Sequence, residues 1–73
     1  MSPIIRQEIA VILEYTQVAR KELFSPISTR RVVKARRALC RELRHRGLSY
    51  ERIGHIIGRD HSSVRNLLGV RKR

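Results

Sequence analysis

The run Asp60-His61-Ser62-Ser63 sets a carboxylate, an imidazole and two hydroxyls side by side, the group types of an activated nucleophile. Adjacency defeats that chemistry. Consecutive helical residues point about 100° apart, so base, orienter and nucleophile cannot line up, and no oxyanion-forming loop is evident. His45, His55 and His61 lie ten and six residues apart and share no helical face, which argues against a metal centre. Cys40 is the single cysteine, so neither an intramolecular disulfide nor a multi-cysteine metal framework is available, and a reducing cytoplasmic setting is the simplest reading. Catalysis, a metal and a cofactor are therefore not expected. Short polar side chains at a helix start suit a different task. With Val64 and Leu67 turned inward, the segment exposes His61, Ser62, Ser63, Arg65 and Asn66, the kind of hydrogen-bonding set that meets base edges in a major groove. Arg65 suits guanine and Asn66 adenine, or either can hold a phosphate.

The charge points the same way. Seventeen Lys plus Arg against six Asp plus Glu leave a net +11 on 73 residues, which calls for an anionic partner and leaves room for one small domain. At 41% hydrophobic the chain is too apolar for a disordered basic tail. Its longest apolar run, Ile9 to Leu13, is far short of the ~20 residues that span a bilayer, and no secretory signal is visible. In residues 1–24, Arg6, Arg20 and Lys21 balance Glu8, Glu14 and Glu22, so all of the surplus lies beyond Phe24. Residues 1–24 read as a packing or dimerisation segment, 25–47 as a basic loop and helix, 48–69 as a helix-turn-helix and 70–73 as a basic tail.

The elements that must position the polar run can be read from spacing. Ser2 and Pro3 open a helix reaching about Tyr15, with Ile5, Ile9, Ile12 and Leu13 on one side. Thr16 is placed to cap a second helix, Val18 to Phe24, which Ser25-Pro26 stops. Ser28 or Thr29 caps a third that reaches about Arg46, with Gly47 as its terminator. On it Val32, Ala35, Leu39 and Leu43 fall within about 80° of one another, and Arg30, Lys34, Arg37, Arg41 and Arg44 fill a similar arc opposite. Ser49 and Asp60 are N-cap candidates for two short helices, with Glu51 in the first turn of the former. Gly54 allows those helices to approach and Gly58 permits positive φ in the turn between them. The expected fold is all-α, four to five helices with a helix-turn-helix.

Ile53-Gly54 followed by Gly58-Arg59-Asp60-His61-Ser62-Ser63-Val64 resembles the IG and GRDHTTV signature of the C-terminal DNA-binding domain of the bacterial replication initiator DnaA, with serines for threonines. Weaker similarity extends back through Val32 to Leu43 and towards Leu13. The resemblance implies a fold of the Trp-repressor and DnaA C-terminal kind, base contact by Asp60, His61, Ser62 and Ser63, and phosphate contact by Arg59. It also implies a basic-loop arginine in the adjacent minor groove, for which Arg30 or Arg31 is the candidate. The sequence departs from the family in having one glycine before Arg59 and Tyr50-Glu51 in place of Leu-Pro. The expectation is a small cytoplasmic, nucleoid-associated regulator of transcription or replication, bacterial or phage-type, without ATPase activity. Double-stranded DNA is the expected partner, with Arg30, Arg31, Lys34, Arg37, Arg71, Lys72 and Arg73 on its backbone or minor groove and a homodimer through residues 1–24 as a further candidate. The alternatives are an RNA- or ribosome-associated basic protein, which the scarcity of aromatic stacking platforms disfavours, and a protein-docking module. A membrane-surface role for the third helix alone is opposed by its narrow apolar stripe.

Overall fold

Helix formation follows the caps. A computed structural model of the chain describes residues 3–26 and 29–69. Its helices are α1 (Pro3–Thr16), α2 (Arg20–Leu23), α3 (Arg30–His45), α4 (Tyr50–Ile57) and α5 (His61–Leu67), with no strand among the described residues. The Thr29 hydroxyl accepts from the Val32 amide at 3.4 Å and starts α3; Ser28 lies outside the described residues, as does Ser2. The Ser49 hydroxyl does the same for α4, accepting from the Arg52 amide at 3.2 Å. Arg46 is the C-cap of α3 and Gly47 follows it.

α3 is the hub. It packs against α1, α2, α4 and α5, while α4 and α5 also pack on each other. Its Val32, Ala35, Leu39, Cys40 and Leu43 share one core with Ile5, Ile9 and Ile12 of α1, with Val18 and Leu23, and with Ile53, Ile57 and Val64 of the last two helices. Each buried Ile or Leu contributes up to about 1.5–3 kcal/mol of transfer free energy, so removing α1 takes Ile5, Ile9 and Ile12 from the core. Arg46 Nη2 and Nε donate to Glu8 Oε1 at 2.7 and 3.1 Å, fastening the end of α3 to α1. No described helix is long and apolar enough to cross a membrane.

The second helix departs from expectation. It spans four residues, starts at Arg20 after the N-cap Ala19, and leaves Val18 buried outside it. Thr16 does not cap it. That hydroxyl donates back to Ile12 O at 2.6 Å and belongs to α1, after which Gln17 turns in the left-handed region, φ 59°. Glu22 supports the short helix instead, its Oε1 accepting from the Ala19 amide at 3.3 Å.

Candidate nucleic-acid interface

The turn between α4 and α5 is Gly58-Arg59-Asp60. Gly58 has φ 72° and ψ 32°, the left-handed conformation that L side chains resist, and its amide donates to Gly54 O. The Arg59 amide donates to the same carbonyl at 2.8 Å. Gly54 is needed for a closer reason than the one inferred from sequence. It meets not the second helix but the turn itself, where a Cβ would overlap the Arg59 carbonyl oxygen and press on Asp60 C at 3.3 Å.

Asp60 occupies the N-cap position of α5, but its carboxylate makes no capping hydrogen bond, contrary to expectation. It turns to the next side chain, with His61 Nδ1 3.2 Å from Asp60 Oδ1. Both residues are exposed. Val64 is fully buried, and Leu67 and Leu68 are half-buried. At about 100° per residue this anchors the helix rotation, leaving Ser62 and Asn66 near the centre of the outward face. Ser63 falls towards one flank of that face; His61 and Arg65 fall towards the other.

A basic cleft flanks α5 on each side. One, of 280 Å³, is bounded by Arg36, Arg37 and Arg59 with Ser63 and Asn66. The other, of 490 Å³, is bounded by Arg41, Arg44, His45, Tyr50 and Leu68. Arg37 crosses from α3 to α5, its Nε donating to Leu67 O at 2.7 Å. Arg59 Nη2 donates to Ser25 O at 2.7 Å, so this half-buried side chain ties the turn to the segment before α3.

Arg36 is the buried arginine beside this site that the sequence reading missed. Only 3% exposed, it donates from Nε to Leu23 O at 3.1 Å and from Nη2 to Ser25 O at 2.9 Å. The Ser25 carbonyl is thereby shared by the guanidiniums of Arg36 and Arg59. Burial, and after it the Arg59 charge, lower the pKa of Arg36, with Cys40 acting in the opposite sense. A signal existed: on the helical wheel Arg36 lies about 20° past Leu43, beside the apolar stripe, and outside the basic arc.

Arg30, Lys34, Arg37, Arg41 and Arg44 are all exposed along α3, as the two-stripe pattern implied. Among the described residues, the side chains of Arg30, Lys34 and Arg41 enter no hydrogen bond or ion pair. Arg31 turns towards the second helix, donating from Nη2 to Gln17 O at 3.2 Å and lying 3.6 Å from Glu22 Oε1. Arg71, Lys72 and Arg73 lie outside the described residues. Among the described residues no group of three or more His, Cys, Asp or Glu side chains gathers where a metal ion could be held.

The sequence model of the bacterial DnaA protein helix-turn-helix matches residues 5–69. The chain belongs to that family. The matched span begins inside α1 and ends just after α5, so the DnaA helix-turn-helix frame takes in all the helices described here. No curated protein and no solved structure matches the chain. Membership of the DnaA helix-turn-helix family supports DNA binding.

Proposed function

We propose that this chain binds double-stranded DNA in a sequence-dependent way. It does so as a small cytoplasmic, nucleoid-associated regulator of transcription or replication, not as an enzyme and without ATPase activity. The observation that carries this reading is α5. Its outward face is short and polar, and cationic clefts flank it on both sides. A helix of that shape suits a major groove, whose walls are phosphate and whose floor carries hydrogen-bonding base edges. Asp60, His61, Ser62, Ser63, Arg65 and Asn66 are assigned to base edges. Arg30, Arg31, Lys34, Arg37 and Arg59, with Arg71, Lys72 and Arg73 of the tail, are assigned to backbone or minor groove. Of the two minor-groove candidates Arg30 is the better supplied, because Arg31 is engaged by Gln17 and Glu22.

Salt tests the electrostatic half. Neutralising six phosphates gives a slope near −5 in log K against log salt, so affinity falls about 10³-fold between 50 and 200 mM. A labelled duplex bound equally at both salt concentrations would refute it. For base reading, His61→Ala is expected to cost about 1–3 kcal/mol on a preferred site and little on random duplex.

A homodimer is the second assignment, favoured by one observation. Ile4, Val11 and Tyr15 are 53%, 53% and 84% exposed and lie within about 40° of one another on α1, away from the core residues. α1 is also poor in the basic residues that make other faces of two copies repel. Sedimentation velocity is expected to show a dimer that Val11→Glu dissociates; a monomer at all concentrations would remove this assignment.

A further inference from the structure

Tyr50 begins α4 and is half-buried against the core, so its ring is held in place. Two guanidiniums lie on it. The Arg44 guanidinium carbon is 4.6 Å from the ring centroid and that of Arg65 is 5.4 Å, both within the ~6 Å range of a cation–π contact. Arg44 is fixed a second time, Nη1 donating to Leu48 O at 2.8 Å. Among the described residues Glu22 pairs with Arg31, Glu8 with Arg46, and the Asp60 carboxylate lies against His61; none of these carboxylates reaches Arg44 or Arg65. Arg41 and His45 border the same 490 Å³ groove. Cations brought together beside an open groove, with no carboxylate paired to them, raise a local positive potential that an anion relieves.

The position of Arg65 on α5 matters as much as its charge. It falls towards the flank nearest Tyr50, away from the outward centre at Ser62 and Asn66. A side chain laid across that ring is spent before it reaches the floor of a groove that the centre of the helix enters. The guanidinium fork it presents matches the geometry of phosphate oxygens, and pre-ordering on the ring reduces the entropy lost on binding.

We propose that Tyr50 gathers Arg44 and Arg65 into a two-guanidinium clamp for a phosphate of the DNA backbone, so that Arg65 sets affinity on every sequence and not the choice of base. The proposal rests on the DNA-binding reading above and reassigns Arg65 from base edge to backbone. It also gives the first helix of the helix-turn-helix a role in the contact, with Tyr50 as a positioning residue.

The test is the salt slope of binding to a 20-base-pair duplex of arbitrary sequence, measured by anisotropy for the full chain and its variants. Arg65→Gln and Arg44→Gln, both at exposed positions, are each expected to lower the slope by about 0.9, so that the loss of affinity between 50 and 200 mM salt shrinks about 3.5-fold. Tyr50→Leu is expected to reproduce the Arg65→Gln effect, Tyr50→Phe to restore the slope, and the Tyr50→Leu/Arg65→Gln pair to lose less than the two single changes added. Arg6→Gln, on exposed α1, removes the same charge far from the groove and leaves the slope alone. A wild-type slope in Arg65→Gln together with altered base preference would overturn the clamp and return Arg65 to the bases. A wild-type slope in both arginine variants would overturn it as well, without touching DNA binding. Absence of duplex binding by the unaltered chain would overturn the functional reading itself.

Discussion

Gly54→Ala tests the helix-turn-helix geometry through the sign of a stability change. In a solvent-facing helix the substitution stabilises by about 0.8–1.0 kcal/mol, because alanine restricts the unfolded chain and glycine does not. Gly54 is fully enclosed in α4, and the new methyl would overlap the Arg59 carbonyl oxygen while touching Asp60 C at 3.3 Å and Arg59 C at 3.4 Å. Every one of those atoms is backbone, so no side-chain rotamer relieves the clash. Relief requires the turn to move by roughly half an ångström or more, an overpacking of the kind that typically costs about 1–3 kcal/mol. That movement also loads the 2.8 Å hydrogen bond from the Arg59 amide to Gly54 O. Set against the propensity gain, the net expectation is a loss of up to about 2 kcal/mol. For a chain of this size each kcal/mol lowers Tm by about 4–8 °C. Thermal unfolding followed by circular dichroism at 222 nm is the assay. His55→Ala, on the exposed side of the same helix, serves as the control and is expected to leave Tm unchanged or slightly raised. A Tm for Gly54→Ala equal to or above that of the parent would refute the close approach of α4 to the turn.

Arg36→Met keeps the buried stem and removes the guanidinium that binds Leu23 O and Ser25 O. Charged hydrogen bonds are lost and a buried charge is released from its desolvation, leaving an expected net destabilisation of about 1–3 kcal/mol by urea unfolding. An unchanged midpoint would show that Arg36 works through packing alone. Burial pushes the Cys40 thiol up from 9.0 to about 11, against the pull of Arg36. The unfolded thiol therefore releases its proton first, and between those two pH values the unfolded chain binds fewer protons than the folded one. Stability should fall as pH rises from 9 towards 11, by about 2 kcal/mol more than in Cys40→Ala, and should differ little in pH dependence between the two proteins below pH 8. Identical pH profiles for parent and variant would remove the thiol from the account.

Much of the frame was legible because it is set by local signals. Thr29 and Ser49 cap where short hydroxyl side chains precede periodic apolar residues, and the two stripes of α3 separate because a helix has a fixed period. α2 was misplaced because four residues carry no periodicity; Val18 is buried by tertiary packing and not by a helix of its own. Asp60 looked like a cap by type and position, yet His61 beside it takes the carboxylate. Gly54 was recognised as a contact point, but its neighbour is the returning turn, which a sequence cannot place in space. The candidate site divided along the same line. The polar face of α5 was readable from Val64 and Leu67, whereas the two flanking clefts, the sharing of Ser25 O by Arg36 and Arg59, and the arginines on Tyr50 depend on contacts between residues far apart in the chain. Charge alone counted those arginines without distinguishing the one that is buried.

Whether α5 reads sequence is decided by selection of bound duplexes from a random pool. Enrichment of one short motif is expected, bound about 10³-fold more tightly than random duplex at physiological salt, with the advantage reduced by His61→Ala. A pool that stays unenriched, with every duplex bound alike and His61→Ala without effect, would contradict it and leave only a basic protein that holds phosphates.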